Sequence, residues 1–211
     1  MTDFDARAAT WDADPQKVDR ARRVAAAIAA AVPALAGRRV LEYGCGTGLL
    51  GFALRTRVAS VTMADSSPGM LEELRRKIAA TGLDGLTPLR LDLATDPPPP
   101  ERFDLICSLM TLHHVPDTAG LLRAFHGLLA PGGMVSLADL EAEDGSFHGA
   151  GEKVHHGFDR GALRAQLEAA GFEEVRVETV LEIGKETAGG PRRYKVFLAT
   201  ARVDQGADHP A

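Results

Sequence analysis

Three glycines at every second position, Gly44, Gly46 and Gly48, follow a short apolar stretch that contains Glu42. The apolar stretch is typical of a buried strand in a parallel sheet, and residues 49–57 are consistent with a helix. A glycine turn between a strand and a helix N-terminus lets the backbone approach a nucleotide-like ligand closely, because no Cβ stands in the way. The carboxylate of Glu42 would repel a pyrophosphate, so the pattern favours a ligand that carries an ammonium group.

Three further apolar segments along the chain each end at a polar residue. Asp65 and Ser66 close the first, Asp92 and Leu93 follow the second, and Ser108 ends the third. In open parallel sheets, ligands bind beyond the carboxyl ends of the strands. We therefore expect these residues to lie at the same edge of the sheet as the glycine turn.

The glycine turn and these segments, in this order, resemble the motifs of class I S-adenosylmethionine-dependent methyltransferases. The first motif of that family is a hydrophobic strand followed by Glu/Asp-x-Gly-x-Gly-x-Gly, which Glu42 to Gly48 match. The resemblance covers residues 38–140 well and includes Leu109–Val115 and Leu129–Gly133. It is greatest to the small-molecule branch that contains methyltransferase type 11 and ubiquinone-biosynthesis-like enzymes.

The resemblance implies a role for each polar residue at the strand ends. In the family, the first acidic residue faces the methionine ammonium, the second accepts both ribose hydroxyls, and the third accepts the adenine amine. The residues expected to bind S-adenosylmethionine are Glu42, Gly44, Gly46, Gly48, Asp65, Ser66, Asp92, Leu93 and Ser108. The expected reaction is an in-line displacement that moves the methyl group to a small molecule and leaves S-adenosylhomocysteine. The acceptor atom, whether O, N, S or C, stays open.

Histidine is the natural general base near neutral pH, and five of the seven histidines fall in two groups after predicted strands. We expect His114 or His155 to act as the base or to bind the substrate. A metal site is a competing use of the same cluster, since the histidines together with Asp139, Glu141 and Asp144 offer nitrogen and oxygen ligands. No diagnostic ligand spacing is present, so we assign no metal ligand.

These side chains require alternating strands and helices to position them. We predict strands near 39–43, 58–64, 86–91, 103–108, 133–139, 174–181 and 194–201, and helices near 15–31, 48–56, 67–80, 117–130 and 159–170. The alternation predicts an α/β fold with a parallel sheet, and the short spacing of the last two strands predicts an antiparallel hairpin. The resemblance implies a Rossmann-like, doubly wound, seven-stranded sheet of order 3-2-1-4-5-7-6 with the last strand antiparallel.

The chain of 211 residues suits one such domain with short additions. We expect an N-terminal lid segment and helix over residues 1–37, with Phe4 and Trp11 as anchors. The methyltransferase domain should cover residues 38–202, and residues 203–211 should form a disordered tail.

Composition limits the partners and the compartment. The net charge of −5 argues against broad nucleic-acid binding, and no apolar run is long enough to span a membrane. The two cysteines do not form a disulfide framework. We expect a cytoplasmic monomer or homodimer whose partner is a small-molecule substrate, with no nucleic acid and no membrane bound.

Two other functions fit parts of the pattern. Gly46 to Gly51 also match Gly-x-Gly-x-x-Gly, and Asp65 follows at about the spacing seen in dinucleotide-binding folds. An NAD-linked oxidoreductase is therefore one alternative. A non-catalytic regulatory protein that binds S-adenosylmethionine is the other, since a fold alone does not establish an activity.

Overall fold

The structure, a computed structural model, describes residues 3–148, 153–187 and 189–205. Seven strands are present, namely β1 (Arg39–Tyr43), β2 (Ser60–Asp65), β3 (Leu86–Arg90), β4 (Phe103–Leu109), β5 (Leu129–Leu140), β6 (Glu173–Thr187) and β7 (Gly190–Arg202). They form one sheet in the order β3-β2-β1-β4-β5-β7-β6. Strands β1 to β5 pair in parallel, whereas β7 is antiparallel to both β5 and β6. The predicted strand order and antiparallel last strand are confirmed.

Six helices connect or precede the strands. They are α1 (Asp3–Arg7), α2 (Pro15–Ala31), α3 (Leu49–Leu54), α4 (Pro68–Thr81), α5 (Thr118–Leu128) and α6 (Arg160–Ala169). The four longest begin after residues whose side chains accept a first-turn amide, namely Asp14, Ser67, Asp117 and Asp159. None of the helices within the described ranges combines the length and the apolarity that a membrane span requires.

Strand β1 alternates between two hydrophobic cores, one on each face of the sheet. Val40 packs with residues of α2, α3 and α4, whereas Leu41 and Tyr43 pack with residues of α5 and α6. Because side chains along a strand point to opposite faces in turn, Glu42 lies on the same face as Val40. The strand therefore directs this carboxylate toward α3, beneath the glycine turn.

The hairpin formed by β6 and β7 is longer than the sequence predicts. The pattern places a loop over residues 182–193, yet pairing continues from Leu181↔Val196 to Thr187↔Gly190. Ile183 and Tyr194 are buried against the rest of the protein, which explains why strand pairing extends through a stretch rich in charged residues and glycine.

The predicted tail begins beside the sheet. Val203 is buried, and its amide donates a hydrogen bond to the carbonyl of Gly133 over 2.9 Å. The amide of Gly132 donates in return to the carbonyl of Asp204 over 3.1 Å. Residues 206–211 of the predicted tail lie outside the described residues.

Candidate active site

The turn after β1 depends on the absence of side chains at its glycines. Gly44, Gly46 and Gly48 have φ values of +70°, +54° and +84°, in the left-handed region that glycine adopts most easily. A Cβ on Gly44 would lie 2.2 Å from the side chain of Thr111, and a Cβ on Gly48 would lie 2.2 Å from Met63. At these two positions, close packing inside the protein accounts for the glycine.

Gly46 is different because space is open in front of it. A Cβ there would have no heavy-atom neighbour nearer than Met70 at 3.9 Å and Trp11 at 4.0 Å. Packing therefore does not require a glycine at this position. A ligand that approaches the backbone would require one, and the edge of the sheet where β1 meets β4 is where open α/β sheets bind ligands.

Asp65 lies at the end of β2, directly beside the turn. Its Oδ2 accepts a hydrogen bond from the amide of Gly46 over 2.7 Å, and its Oδ1 accepts from the amide of Ser67 over 2.8 Å. Ser67 itself caps α4, because its hydroxyl accepts from the amide of Met70 over 3.2 Å. Burial raises the pKa of Asp65 against these hydrogen bonds. Each carboxylate oxygen keeps a second lone pair, so Asp65 can still accept from a ligand.

Glu42 is 2% exposed. Its Oε2 accepts a hydrogen bond from the amide of Gly51 over 3.0 Å, in the first turn of α3. Burial raises the pKa of Glu42 to about 8; the Gly51 amide lowers it, Asp65 raises it further, and Lys77 lowers it. A neutral carboxyl group beneath the turn is therefore ready to ionise when a positive charge arrives.

The third acidic residue takes part in a local turn. Oδ1 of Asp92 accepts a hydrogen bond from the amide of Ala94 over 3.0 Å. The amide of Leu93, which the resemblance assigns to an adenine nitrogen, donates to the hydroxyl of Tyr43 over 3.2 Å. A ligand that uses the Leu93 amide must therefore displace the buried Tyr43 hydroxyl, a contact that the sequence does not reveal.

The two predicted serines have different environments. Ser66 is exposed at the edge of the sheet, beside Asp65. Ser108 is fully buried, and its hydroxyl donates to the carbonyl of Tyr43 over 2.8 Å. Ser108 therefore joins β4 to β1, and its expected place beside the cofactor stays a prediction.

The N-terminal segment is attached to the start of α4. Oδ1 of Asp5 accepts a hydrogen bond from the hydroxyl of Ser67 over 2.6 Å and another from the amide of Gly69 over 3.0 Å. An acidic side chain at a helix N-terminus is stabilised by the amides there and by the helix dipole. The segment that contains α1 is thereby held against the same edge of the sheet as Asp65.

A second acidic residue attaches the segment to the glycine turn itself. Asp12 accepts hydrogen bonds from the hydroxyl of Thr47 and from Nζ of Lys77. Nζ of Lys77 also donates to the carbonyl of Thr47 over 2.8 Å. The indole of Trp11, one residue earlier, faces the open space at Gly46.

Two buried side chains, one just after β4 and one near the end of β5, lie against each other. Nδ1 of His113 lies 2.6 Å from Oδ1 of Asp139, and these side chains are 1% and 0% exposed. The backbone amide of His113 also donates to Oδ2 of Asp139 over 3.3 Å. Asp139 thus fixes the orientation of the imidazole, a pairing that the sequence does not predict, since it offers both residues only as separate ligands of the alternative metal site.

Two more histidines pack against His113. The ring centroid of His114 lies 4.1 Å from that of His113, and the ring centroid of His148 lies 4.8 Å from it. Phe4 of the N-terminal segment contacts His114 edge-on, with centroids 5.2 Å apart. Burial lowers the pKa of His114 to about 4, with His113 and His148 acting in the same direction and Asp139 against them. His114 is therefore neutral at physiological pH.

His155, the second predicted base, is held by two backbone contacts. Its backbone amide donates to the carbonyl of His113 over 2.8 Å, and its Nε2 lies 3.0 Å from the carbonyl of Val115. Nε2 therefore carries the proton, and Nδ1 is the ring nitrogen that can accept one. These contacts hold the loop of His155 against the histidine cluster, and a role for His155 as a base stays a prediction.

The acidic residues of the predicted alternative metal site do not converge. Asp139 holds His113, Glu141 accepts from the hydroxyl of Thr179, and Asp144 pairs with Arg192. These contacts leave the three carboxylates with separate partners, so they do not form a shared oxygen-ligand site.

Comparisons with known proteins agree with this geometry. Residues 17–177 match the family described as Methyltransferase domain. Ubiquinone biosynthesis O-methyltransferase of Pseudomonas syringae is 37% identical over 108 residues, 50% of this chain and 46% of that protein. The enzyme of the same name from Xanthomonas campestris is 37% identical over 141 residues, 65% of this chain and 58% of that protein. The matched region thus spans about half the length of these curated relatives.

A solved structure extends the comparison to nearly the whole chain. The complex of DhpI with S-adenosylhomocysteine superimposes with a TM-score of 0.73 at 26% identity, and it covers 95% of this chain and 93% of that one. The family match covers most of the chain, and the strand order agrees with the order that the resemblance implies. The chain belongs to the methyltransferase domain family, with the fold of the class I S-adenosylmethionine-dependent enzymes.

Proposed function

We propose that the protein transfers the methyl group of S-adenosylmethionine to a hydroxyl oxygen of a small-molecule acceptor. The observation that carries this proposal is the open space at Gly46, beside the Asp65 carboxylate and above the buried Glu42. A cofactor with vicinal hydroxyls and an ammonium group needs this combination of acceptors. The names of the curated relatives support oxygen as the acceptor atom.

Each carboxylate has a separate task in the proposed complex. Asp65 accepts the ribose hydroxyls through the lone pairs that Gly46 and Ser67 leave available. Glu42 ionises beneath the turn, and its negative charge balances the positive charge of the ammonium group, either by direct contact or across the backbone of the turn. Asp92 accepts the adenine amine, and the Leu93 amide meets the ring once the Tyr43 hydroxyl has moved.

Residues 1–37 act as a lid in this proposal, and residues 38–202 form the catalytic domain. Asp5 and Asp12 fasten the lid on both sides of the site, and the indole of Trp11 closes the space in front of Gly46. Exclusion of water matters because electrostatic interactions are stronger in a site from which water is absent.

The reaction itself needs mainly orientation. The oxygen lone pair attacks the methyl carbon as the C–S bond breaks, and the bonding electrons remain on sulfur. Holding the two reactants in line can supply roughly 7–11 kcal/mol of the barrier reduction. The hydroxyl proton has to leave, and the cluster of His113, His114 and His148 adjoins the glycine turn through Thr111, whose hydroxyl donates to the carbonyl of Gly44 over 3.2 Å.

The test is methyl transfer from isotopically labelled S-adenosylmethionine to panels of hydroxyl, amine and thiol acceptors. We expect labelled product and S-adenosylhomocysteine with hydroxyl acceptors. Tight cofactor binding without turnover on any panel would favour the regulatory alternative, and binding of NAD alone would favour the oxidoreductase. Cytoplasmic location, the absence of nucleic-acid and membrane partners, and a monomeric or homodimeric state stay predictions from the sequence.

A further inference from the structure

We propose that His113, His114 and His148 bind one divalent transition-metal ion. One ring nitrogen from each residue lies within 4.8 Å of the other two, and His113 is buried while the other two are half-buried. The three rings come from two parts of the chain, since His113 and His114 follow β4 whereas His148 lies in the loop after β5. Folding alone brings them together.

The state of the His113 ring points to a ligand. Its Nδ1 is taken by Asp139, so Nε2 is the nitrogen that remains for coordination. That Nε2 is buried and has no hydrogen-bond partner among the residues that the structure describes. Buried polar atoms are normally paired, so an orphan of this kind calls for an explanation. A metal ion at Nε2 supplies the missing partner.

The contact with Asp139 is the arrangement that a metal-binding histidine needs. Ligating histidines usually donate the other ring N–H to a carboxylate or carbonyl, which fixes the tautomer and raises the basicity of the ligating nitrogen. Asp139 is fully buried and also accepts the amide of Leu140 over 2.7 Å, so the carboxylate is itself held in place. The orientation of His113 is therefore set before any ion arrives.

The donor set selects the class of ion. Three imidazoles suit Zn²⁺, Fe²⁺, Co²⁺, Ni²⁺ or Cu²⁺, whereas Mg²⁺ and Ca²⁺ prefer oxygen ligands. With Zn–N bonds of about 2.1 Å, tetrahedral ligand nitrogens lie about 3.4 Å apart. The spacing in the structure, up to 4.8 Å, closes to this value by modest rotation of the half-buried rings.

Three protein ligands leave at least one coordination position open, as in catalytic zinc sites. The next step rests on the proposed function. The hydroxyl oxygen of the methyl acceptor binds the ion at this open position, and the ion lowers the pKa of that hydroxyl group. The proton then passes to solvent, and no histidine base is required. A coordinated imidazole nitrogen has no lone pair left for a proton, so the metal replaces the cluster's role as a base.

Binding of Zn²⁺ and Co²⁺ to the untagged, chelator-treated full-length protein tests the proposal. Calorimetry should give one equivalent of Zn²⁺ per chain, and Co²⁺ should produce the visible bands of a histidine-ligated site. We expect His148→Ala and His114→Ala to weaken Zn²⁺ binding at least about 10-fold, and Asp139→Asn by about 10- to 100-fold. The matched control is His156→Ala, which changes an exposed histidine near the same loop and should leave the affinity unchanged.

The outcomes separate this proposal from the proposed function. Binding of S-adenosylhomocysteine is measured on the same samples, and it shows that each variant is folded and competent. Protein that binds S-adenosylhomocysteine but no Zn²⁺ overturns the metal site alone. Zn²⁺ binding that survives in the triple alanine variant of the three histidines also overturns it. Zn²⁺ binding without S-adenosylhomocysteine binding leaves the metal site standing and contradicts the proposed function.

Discussion

The amide of Gly46 donates a hydrogen bond to Oδ2 of Asp65 over 2.7 Å, which joins the glycine turn after β1 to the end of the neighbouring strand. The same carboxylate accepts from Ser67 at the start of α4. One acidic side chain thus sets the relative positions of a strand end, a turn and a helix around the open space at Gly46. Loss of this carboxylate should affect the shape of the site as well as its direct contact with a ligand.

Replacement of Asp65 by alanine tests that role. We expect Asp65→Ala to weaken binding of S-adenosylhomocysteine about 10- to 100-fold, because hydrogen bonds to a charged group contribute roughly 1.5–3 kcal/mol. Calorimetry below the unfolding temperature measures the change. Asp117→Ala serves as the control, since it removes a carboxylate that accepts an amide at the start of a different helix, α5. Equal affinity in both variants would remove Asp65 from the site.

Gly46→Ala separates ligand binding from folding. A Cβ at this position meets no atom closer than 3.9 Å, so the variant should fold with a loss of about 1–2 kcal/mol from the left-handed backbone. The methyl group should nevertheless block the cofactor and weaken its binding more than about 10-fold, a decrease of over 1.4 kcal/mol in binding free energy.

Gly37→Ala is the matched control for that experiment. Gly37 also has a positive φ, +86°, and a Cβ there would have no neighbour within 4 Å. It precedes β1 at the opposite end of the strand from the glycine turn. The midpoint temperature of thermal unfolding should fall by similar amounts in both variants, whereas only Gly46→Ala should lose affinity for the cofactor. Normal affinity in Gly46→Ala would show that the space in front of Gly46 is not the binding site.

The buried carboxyl group of Glu42 should make the stability of the ligand-free protein depend on pH. Glu42 loses its proton near pH 4.5 in the unfolded chain and near pH 8 in the folded one. Its contribution to the free energy of unfolding is therefore complete below about pH 4.5 and is lost as the pH rises toward about 8. Glu42→Gln cannot ionise, so it should gain stability relative to the wild type over this interval, by an amount on the order of a few kcal/mol. Urea unfolding of both proteins at several pH values measures the difference, and parallel curves would contradict the shifted pKa.

The same residue should couple cofactor binding to proton release. At pH 7 Glu42 is mostly protonated in the free protein, because its pKa is about 8. The cationic cofactor favours the ionised form, so binding should release up to about one proton. Calorimetry of S-adenosylmethionine binding in buffers of different ionisation enthalpy counts the protons. Glu42→Gln should bind more weakly and release fewer protons, whereas an unchanged proton count would assign the release to another group.

The contact between Asp12 and the glycine turn should control access to the site. Asp12→Ala removes the acceptor that Thr47 and Lys77 share, so the N-terminal segment should open more often. We expect S-adenosylhomocysteine to dissociate faster, on the order of 10-fold, as a lost hydrogen bond between charged groups would produce. Stopped-flow measurement of dissociation gives the rate. Asp19→Ala is the control, because Asp19 pairs with Arg23 on the exposed face of α2, and its rate should match the wild type.

The sequence predicts the sheet and the glycine turn because both depend on local patterns. A short apolar stretch locates β1, and the three glycines indicate the turn that follows it. The pairing of His113 with Asp139 cannot be predicted in this way, since the two residues are 26 positions apart and meet only after β4 and β5 align. The hydrogen bond from Ser108 to Tyr43 has the same origin, since it joins residues 65 positions apart on two strands.

Local sequence patterns also fail to predict the length of the hairpin, for a related reason. Charged residues and glycine between 182 and 193 indicate a loop, yet burial of Ile183 and Tyr194 extends the pairing of β6 with β7. Tertiary contacts override local propensity here. The backbone contacts of His155 are likewise set by tertiary structure, since its partners His113 and Val115 lie about 40 positions earlier in the chain.

The proposal that S-adenosylmethionine binds at the glycine turn is best tested by calorimetry. The purified protein is titrated with S-adenosylmethionine, S-adenosylhomocysteine and NAD. We predict micromolar binding of the first two at one site per chain, no binding of NAD, and marked weakening of both cofactor affinities in Gly46→Ala but not in Gly37→Ala. Binding of NAD alone would contradict this prediction, because the cofactor proposed for the open space at Gly46 would then not bind there.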